Sequence, residues 1–177
     1  MKTQLFILFG LIAFAFTACD MNGSTNTSPE ILYVINPVAN KTDSLNKYYT
    51  DVANEYRLDT IHVGDTVTFR MLFYGFTNNL TTCNIVQSDT TATKIIFPSV
   101  TSLDSIFLSS ASNYSQGKFT FKNKISSLYF PFKYVARKPS TNAKITFYLS
   151  SDANFTSTNS LGANSVTTSL VTPIEMP

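Results

Sequence analysis

Few side chains in this sequence could do catalytic chemistry. The 177 residues contain one histidine, His62, two cysteines, Cys19 and Cys83, and three glutamates. Catalysis needs titratable groups gathered in a pocket. A Cys83–His62 nucleophilic pair is one arrangement that these residues allow. The alternative is a small buried thiol and a strand histidine that faces outward between Ile61 and Val63. We expect no catalytic residues and no enzyme activity.

A metal site is the second chemistry that the spacing allows, because Asp59, His62 and Asp65 lie close together in sequence. On an extended strand, residues three positions apart point to opposite faces, so Asp59 and His62 would not converge on one ion. The sequence contains neither a calcium-binding loop motif nor a paired-histidine zinc spacing. We therefore expect no metal and no cofactor.

The first eighteen residues have the pattern of a secretory signal peptide. Lys2 precedes an apolar run from Leu5 to Phe16, which as a helix is too short to cross a hydrocarbon core of about 30 Å. The alternative is a buried core helix. Residues 16–19 read Phe-Thr-Ala-Cys and resemble the lipobox of bacterial lipoproteins. The resemblance implies cleavage of residues 1–18 and acylation of Cys19, which would anchor the chain in a membrane.

The rest of the chain divides into a tether and one domain. Residues 19–30 are rich in Asn, Ser and Thr and predict a flexible tether, and residues 31–177 have the size of one domain. With Cys19 acylated, Cys83 has no cysteine left to pair with, so we expect the core alone to stabilise the domain. The formal net charge of +2 argues against nucleic acid as a partner, since such binding needs a concentrated basic surface.

Asp followed by Ser or Thr, and then by an apolar residue or Thr, occurs five times. The pattern is similar to the O-glycosylation motif of exported Bacteroidota proteins, which implies a glycan on the hydroxyl residue. The alternative is that these side chains satisfy backbone groups at strand starts and turns. The candidate attachment sites are Ser44, Thr60, Thr66, Thr90 and Ser105.

Tyrosines provide the remaining candidate binding groups. Sugar-binding modules place aromatic rings against the flat faces of glycans, and tyrosine adds a polar hydroxyl. The alternative is that these rings cover the rim of the core. The candidate glycan contacts are Tyr48, Tyr49, Tyr56, Tyr129 and Tyr148.

Apolar and polar residues alternate with a period of two through most of the chain, which predicts β-strands. In the segment 66–74, the residues Val67, Phe69, Met71 and Phe73 share one face, and we expect that face to be buried. Pro131 removes a backbone donor, so the segment 128–137 is predicted to lie at a sheet edge or to contain a bulge. Further strands are predicted at 31–36, 59–63, 83–87, 94–98, 104–109, 118–123, 143–151 and 165–174.

One segment favours a helix. In residues 44–56 the apolar residues Leu45, Val52 and Tyr56 recur at helical spacing, and Ser44 could cap the first turn. Tyrosine and valine also suit strands. The segment is therefore predicted as a helix, with strand as the alternative.

Short strands separated by turns predict an all-β sandwich or barrel. The segment Ile61–Val67 and the order of the later strands resemble the immunoglobulin-like sandwiches of Bacteroidota lipoproteins, without the paired cysteines and core tryptophan of antibody domains. The resemblance implies an antiparallel immunoglobulin-like β-sandwich of about seven to nine strands.

Together these features predict a membrane-anchored, non-catalytic envelope lipoprotein at the outer membrane, facing either the periplasm or the cell surface. We expect it to act as a protein-interaction or structural accessory module whose partner is an envelope protein. The alternative is a carbohydrate-binding surface lipoprotein of a glycan uptake system.

Overall fold

The computed structural model describes residues 26–155 and 162–177, which form an all-β sandwich as predicted. The predicted signal peptide, residues 1–18, and the predicted lipidation site Cys19 lie outside the described residues. Within the described ranges, no helix is both long enough and apolar enough to cross a membrane.

The strands vary from two residues to ten residues in length. In chain order they are β1 (Glu30–Tyr33), β2 (Val38–Ala39), β3 (Asp43–Ser44), β4 (Lys47–Tyr49), β5 (Glu55–Leu58), β6 (Ile61–His62), β7 (Thr66–Tyr74), β8 (Leu80–Gln87), β9 (Thr93–Ile96), β10 (Lys118–Thr120), β11 (Ser127–Ala136), β12 (Lys144–Ser151), β13 (Ser165–Val171) and β14 (Ile174–Glu175).

Two sheets form the layers of the sandwich. The first has the order β3–β2–β7–β11–β9, with β1 also paired to β7, and the second has the order β10–β8–β12–β13–β5–β4. Strands β6 and β14 form a small separate pair. The fourteen described strands outnumber the predicted seven to nine, because several of them, such as β2, β3, β6 and β14, have only two residues. The pairs β5–β13 and β6–β14 are parallel, unlike the antiparallel arrangement predicted.

The core lies between the two sheets and follows the period-two pattern of the sequence. Val67, Phe69, Met71 and Phe73 are fully buried, as predicted. The Phe132 ring on β11 stacks on the Phe69 ring of β7, with 4.9 Å between centroids and 7° between planes. A one-residue slip of β7 would turn its apolar side chains to solvent, so burial of this face fixes the register.

Pro131 lies in the part of β11 that pairs with a strand on one side only, among the described residues. It pairs with Arg70 of β7, and β9 pairs with β11 only from Lys133 to Ala136. Pro131 itself therefore lies where a residue without a backbone N–H is tolerated. The prediction that the whole segment 128–137 lies at a sheet edge is wrong, because β11 is flanked by β7 and, from Lys133 to Ala136, by β9.

The predicted helix over residues 44–56 is wrong. Strands β4 and β5 form a hairpin here, with Lys47 opposite Leu58 and Tyr49 opposite Tyr56. Asn54 at the turn has a φ of 59°, a left-handed conformation that asparagine tolerates better than most residues. Burial of Leu58 against the core favours a strand over the helix.

The strand predicted at 104–109 is also wrong. A short helix occupies Val100–Asp104, and the Ser99 hydroxyl accepts a hydrogen bond from the Ser102 backbone N–H at its start. The apolar residues of the segment still reach the core, because Phe107 is buried. Two 3-10 helices follow, at Ser109–Ala111 and Tyr114–Gln116.

The described end of the predicted tether lies against the domain. The Asn26 amide donates to the Asn154 carbonyl at 2.6 Å, and the Ser28 hydroxyl accepts from the Ala163 backbone N–H at 3.0 Å. Strand β1 begins at Glu30. Residues 26–30 therefore lie against the described part of the predicted domain.

The central position of Phe132 gives a first prediction. Phe132→Ala should lower the free energy of unfolding by about 3–5 kcal/mol, because it removes a buried ring and leaves a cavity. Tyr129→Ala, on the exposed face of the same strand, is the matched control and should cost much less. Urea denaturation followed by circular dichroism measures both, and equal losses would contradict this description of the core.

Candidate binding surfaces

A groove of about 400 Å³ lies at the flank of the sandwich where β1 faces β5 and β13. We call it the tyrosine–lysine groove after Tyr33, Lys47 and Tyr56, which line it. The Lys47 ammonium nitrogen lies 4.2 Å from the Tyr33 ring centroid and 4.3 Å from that of Tyr56. A cation over an aromatic face stabilises by about 0.5–1 kcal/mol at exposed sites. Because Tyr33 belongs to the first sheet and Tyr56 to the second, Lys47 links the two sheets at this flank.

The Tyr33 hydroxyl oxygen is buried and has no hydrogen-bond partner among the described residues. Burial, and to a smaller extent the nearby Tyr56, raises the pKa of Tyr33 above its ordinary value. A buried polar group without a partner costs about 1–3 kcal/mol. Asn54 and Thr168 add polar groups to the same groove. The groove therefore combines polar lining groups with a hydroxyl oxygen that the protein itself encloses.

The structure brings together only part of the predicted tyrosine set. The Tyr49 and Tyr56 rings lie 4.8 Å apart between centroids, and Tyr49 is 84% exposed. Tyr48 is exposed on the adjacent strand position, where a hydrogen bond with Asp59 raises its pKa. Tyr129 and Tyr148 lie on the outer faces of different sheets, so the five rings do not form one platform.

Sequence analysis missed Tyr33 and Lys47. Tyr33 is in phase with Ile31 on β1, which indicates partial burial but not contact with residues of another sheet. Lys47 was placed in the predicted helix, where its neighbours would have been different. Only the pairing of β1 with β7 and of β4 with β5 brings the two side chains together.

A larger groove of about 600 Å³ lies at the opposite flank, between β9 of the first sheet and β8 of the second. We call it the open-flank groove. Aliphatic and aromatic side chains line it, including Ile85, Ile95, Phe97 and Tyr114. The charged residues of its lining are Lys94 and Lys118.

Strand edges without a described partner border this groove on both sides. Among the described strands, β11 is the one that pairs with β9. On the second sheet, the pairing of β10 with β8 stops where Lys118 faces Asn84, and the Ile85 backbone N–H donates to the Gly117 carbonyl. Beyond that point, Val86 and Gln87 pair with β12 on one side only. The groove therefore offers unpaired backbone as well as apolar side chains.

The five candidate glycosylation residues are spread over the surface. Ser44, Thr60, Thr90 and Ser105 are exposed, whereas Thr66 at the start of β7 is partly buried. Thr90 lines the open-flank groove. The exposure of four of the five hydroxyls leaves them accessible to a modifying enzyme.

Three of the accompanying aspartates bind backbone groups. The carboxylate of Asp59 accepts from the Asn46 backbone N–H at 2.7 Å, and that of Asp65 accepts from the His62 backbone N–H at 2.8 Å. Asp89 accepts from the Ala92 backbone N–H at 2.9 Å, and this bond is the largest of the effects that lower its pKa. These contacts support the alternative interpretation of the motif, in which its side chains satisfy backbone groups at strand starts and turns.

The two residues of the candidate nucleophilic pair lie in different environments. His62 is exposed on β6, as the alternation predicted, and its Nδ1 lies 3.9 Å from the Asp65 carboxylate. Cys83 is buried in the core opposite Phe119 and Leu149, and burial raises the pKa of its thiol. Within residues 26–155 and 162–177, no group of three or more His, Cys, Asp or Glu side chains could hold a metal ion.

No family model matches the chain, and no curated protein matches it. Solved structures that show a distant likeness include the following two. One is a DUF4466 family protein from Parabacteroides merdae, with 11% identity and a TM-score of 0.39 over 81% of this chain and 45% of that one. The other is BspA_C_WT, with 14% identity and a TM-score of 0.34 over 81% of this chain and 50% of that one. The chain thus spans about half the length of each.

Burial of Cys83 gives a second prediction. In a Cys19→Ser variant, whose only thiol is Cys83, the native protein should react with dithiobisnitrobenzoate at pH 8 far more slowly than the same protein in urea. The reason is that the reacting species is the exposed thiolate, and burial disfavours both exposure and ionisation. Rapid stoichiometric labelling of the folded protein would contradict the placement of Cys83.

Proposed function

We propose that this chain is a membrane-anchored, non-catalytic lipoprotein of the cell envelope that acts as a protein-interaction or structural accessory module. The anchor would be acylated Cys19, and the membrane would be the outer membrane. Several acyl chains, at about 0.8 kcal/mol per buried methylene, hold a protein firmly at a bilayer. The β-domain then works close to the membrane surface.

The open-flank groove is the observation that supports a protein partner. Unpaired strand edges are templates for pairing with another chain, and a partner strand adds backbone hydrogen bonds to whatever its side chains contribute. Ile96 on β9 and Val86 on β8 are 42% and 38% exposed, and both belong to these edges. Apolar side chains beside unpaired backbone favour docking of another polypeptide.

A second candidate function, carbohydrate binding, is favoured by the tyrosine–lysine groove. The Tyr49 ring is open to solvent and lies 4.8 Å from the Tyr56 ring that lines the groove, measured between centroids. An aromatic face with nearby polar groups suits a sugar ring. The groove is smaller than the open-flank groove, and Lys47 already covers the rings of Tyr33 and Tyr56.

Site-specific photocrosslinking in the native host distinguishes the two functions. A photoreactive amino acid at Ile96 should give one discrete protein adduct in membranes, because Ile96 borders the unpaired edge of β9. The same amino acid at Tyr129, on the outer face of β11, is the matched control and should give none. A Cys19→Ser chain should leave the membrane fraction and lose the adduct.

Two results would contradict the proposal. One is the absence of a protein adduct from Ile96 in cells where the chain is folded and membrane-bound. The other is an adduct of equal yield from Ile96 and Tyr129, which would indicate contact without a specific surface. Retention of the protein on immobilised glycans, lost in a Tyr49→Ala variant, would instead support the second candidate.

A further inference from the structure

We infer that the open-flank groove accepts an extended segment of a partner protein, which adds as a strand to β9 and alternates apolar side chains with carboxylates. The inference rests on the proposed protein-interaction function and specifies the chemistry of its partner. Three features of the groove support it: the free backbone of β9, the apolar floor and the charge of the rim.

The free backbone determines the conformation of the partner. In an antiparallel pair, residues that exchange hydrogen bonds alternate with residues that do not. The Arg137 backbone N–H donates to the Ala92 carbonyl, so in the register of β9 with β11 the residues Thr93 and Ile95 direct their backbone groups away from β11. The Thr93 N–H already donates to the Asp89 carbonyl at 3.1 Å. The Thr93 carbonyl and the N–H and carbonyl of Ile95 are the groups that remain toward the groove. A segment in extended conformation, about 4.7–4.9 Å from β9, would satisfy them.

The floor of the groove requires apolar side chains at alternate positions of that segment. The Phe97 ring lies 5.0 Å from that of Phe119 and 6.3 Å from that of Phe130, measured between centroids. The floor is thus continuous with the core of the sandwich. Ile95 and Phe97 remain partly accessible. An added strand points every second side chain toward this floor, and apolar residues there would bury surface now in contact with water.

The rim of the groove favours acidic residues at the other positions. Lys94 and Lys118 are both exposed there, and no Asp or Glu is among the described residues that line the groove. Asp104 lies behind Tyr114 and accepts a hydrogen bond from its hydroxyl at 2.7 Å. Complementary charges at a rim mainly steer association and select the partner, and each exposed pair contributes about 0.2–1 kcal/mol.

Three synthetic probes test the inference on the full chain carrying Cys19→Ser. The first is a blocked seven-residue peptide of alternating valine and aspartate. The second replaces every aspartate by lysine. The third keeps the first sequence but has N-methyl groups on alternate backbone nitrogens, which removes the donors that a strand pairing needs. Titration calorimetry measures affinity, and NMR chemical-shift changes locate the contact.

The valine–aspartate peptide should bind and shift the amide resonances of Thr93–Ile96, Val86 and Gln87. Its affinity should fall about tenfold in a Lys94→Glu, Lys118→Glu double variant, which is the loss expected from two exposed ion pairs. A Lys122→Glu, Lys124→Glu variant makes the same change of charge at exposed positions outside the groove and should keep the affinity. The lysine and N-methyl peptides should bind at least tenfold more weakly.

Each other outcome overturns the inference. Equal binding of the lysine peptide would remove the charge argument, and equal binding of the N-methyl peptide would remove strand addition. Shifts confined to Tyr33, Lys47 and Tyr56 would place the ligand in the other groove, and no binding at all would leave the open-flank groove without this occupant. Concentration-dependent dimers in sedimentation, with β9 shifts in the absence of peptide, would identify a second copy of the chain as the occupant.

The crosslinking result separates this inference from the proposed function. A protein adduct from Ile96, together with no binding of the valine–aspartate peptide, would retain the interaction function and reject the acidic strand. Failure of both experiments would reject both.

Discussion

The packing of aromatic rings between the two sheets is the interaction on which the rest of this structure depends. Phe132 stacks on Phe69 in its own sheet and lies 6.1 Å from Phe147 of the opposite sheet, measured between ring centroids. No disulfide joins the sheets in the described part of the chain, where Cys83 is a free buried thiol. Burial of apolar area is the dominant favourable term in folding, and here it must position both sheets without a covalent link.

This arrangement leaves the functional possibilities at the flanks of the sandwich. At one flank, Lys47 lies over one ring from each sheet, and the chain between β3 and β4 passes from the first sheet to the second. At the other flank, the segment between β8 and β9 makes a similar crossing at one end of the open-flank groove. The remainder of that groove is bordered by β9 and by the end of β8, where backbone is unpaired. The same core that holds the sheets together therefore exposes a strand edge beside its own aromatic floor.

Sequence reasoning predicted the long strands well because each has one buried face. The alternation in β7 identified the inward residues Phe69 and Phe73, and their burial is observed. It failed where local spacing was ambiguous. Residues 44–56 contain apolar residues at helical spacing, but the contact of Leu58 with the core and the left-handed Asn54 produce a hairpin.

The candidate sites were less predictable because each combines residues that are distant in sequence. The tyrosine–lysine groove needs Tyr33 of β1 beside Lys47 of β4, and the open-flank groove needs β9 beside the end of β8. Strand order in a sheet depends on non-local pairing, which composition and periodicity do not specify. Of the five candidate tyrosines, those at 48, 49, 129 and 148 are exposed and Tyr56 is partly buried. Their distribution over separate faces followed only from the topology.

Amide hydrogen exchange measured by NMR on the uncomplexed chain tests the central claim, that one aromatic core holds the sheets while the flank at β9 stays open. Amides of the central strands β7, β8, β11 and β12 should exchange slowest, through global unfolding, because their ladders are paired and packed. The amides of Ile95 and Gln87, which face away from β11 and β12 respectively, should exchange orders of magnitude faster. Protection of the Ile95 amide to the level of β7 would show that this edge is already covered, and would contradict the account.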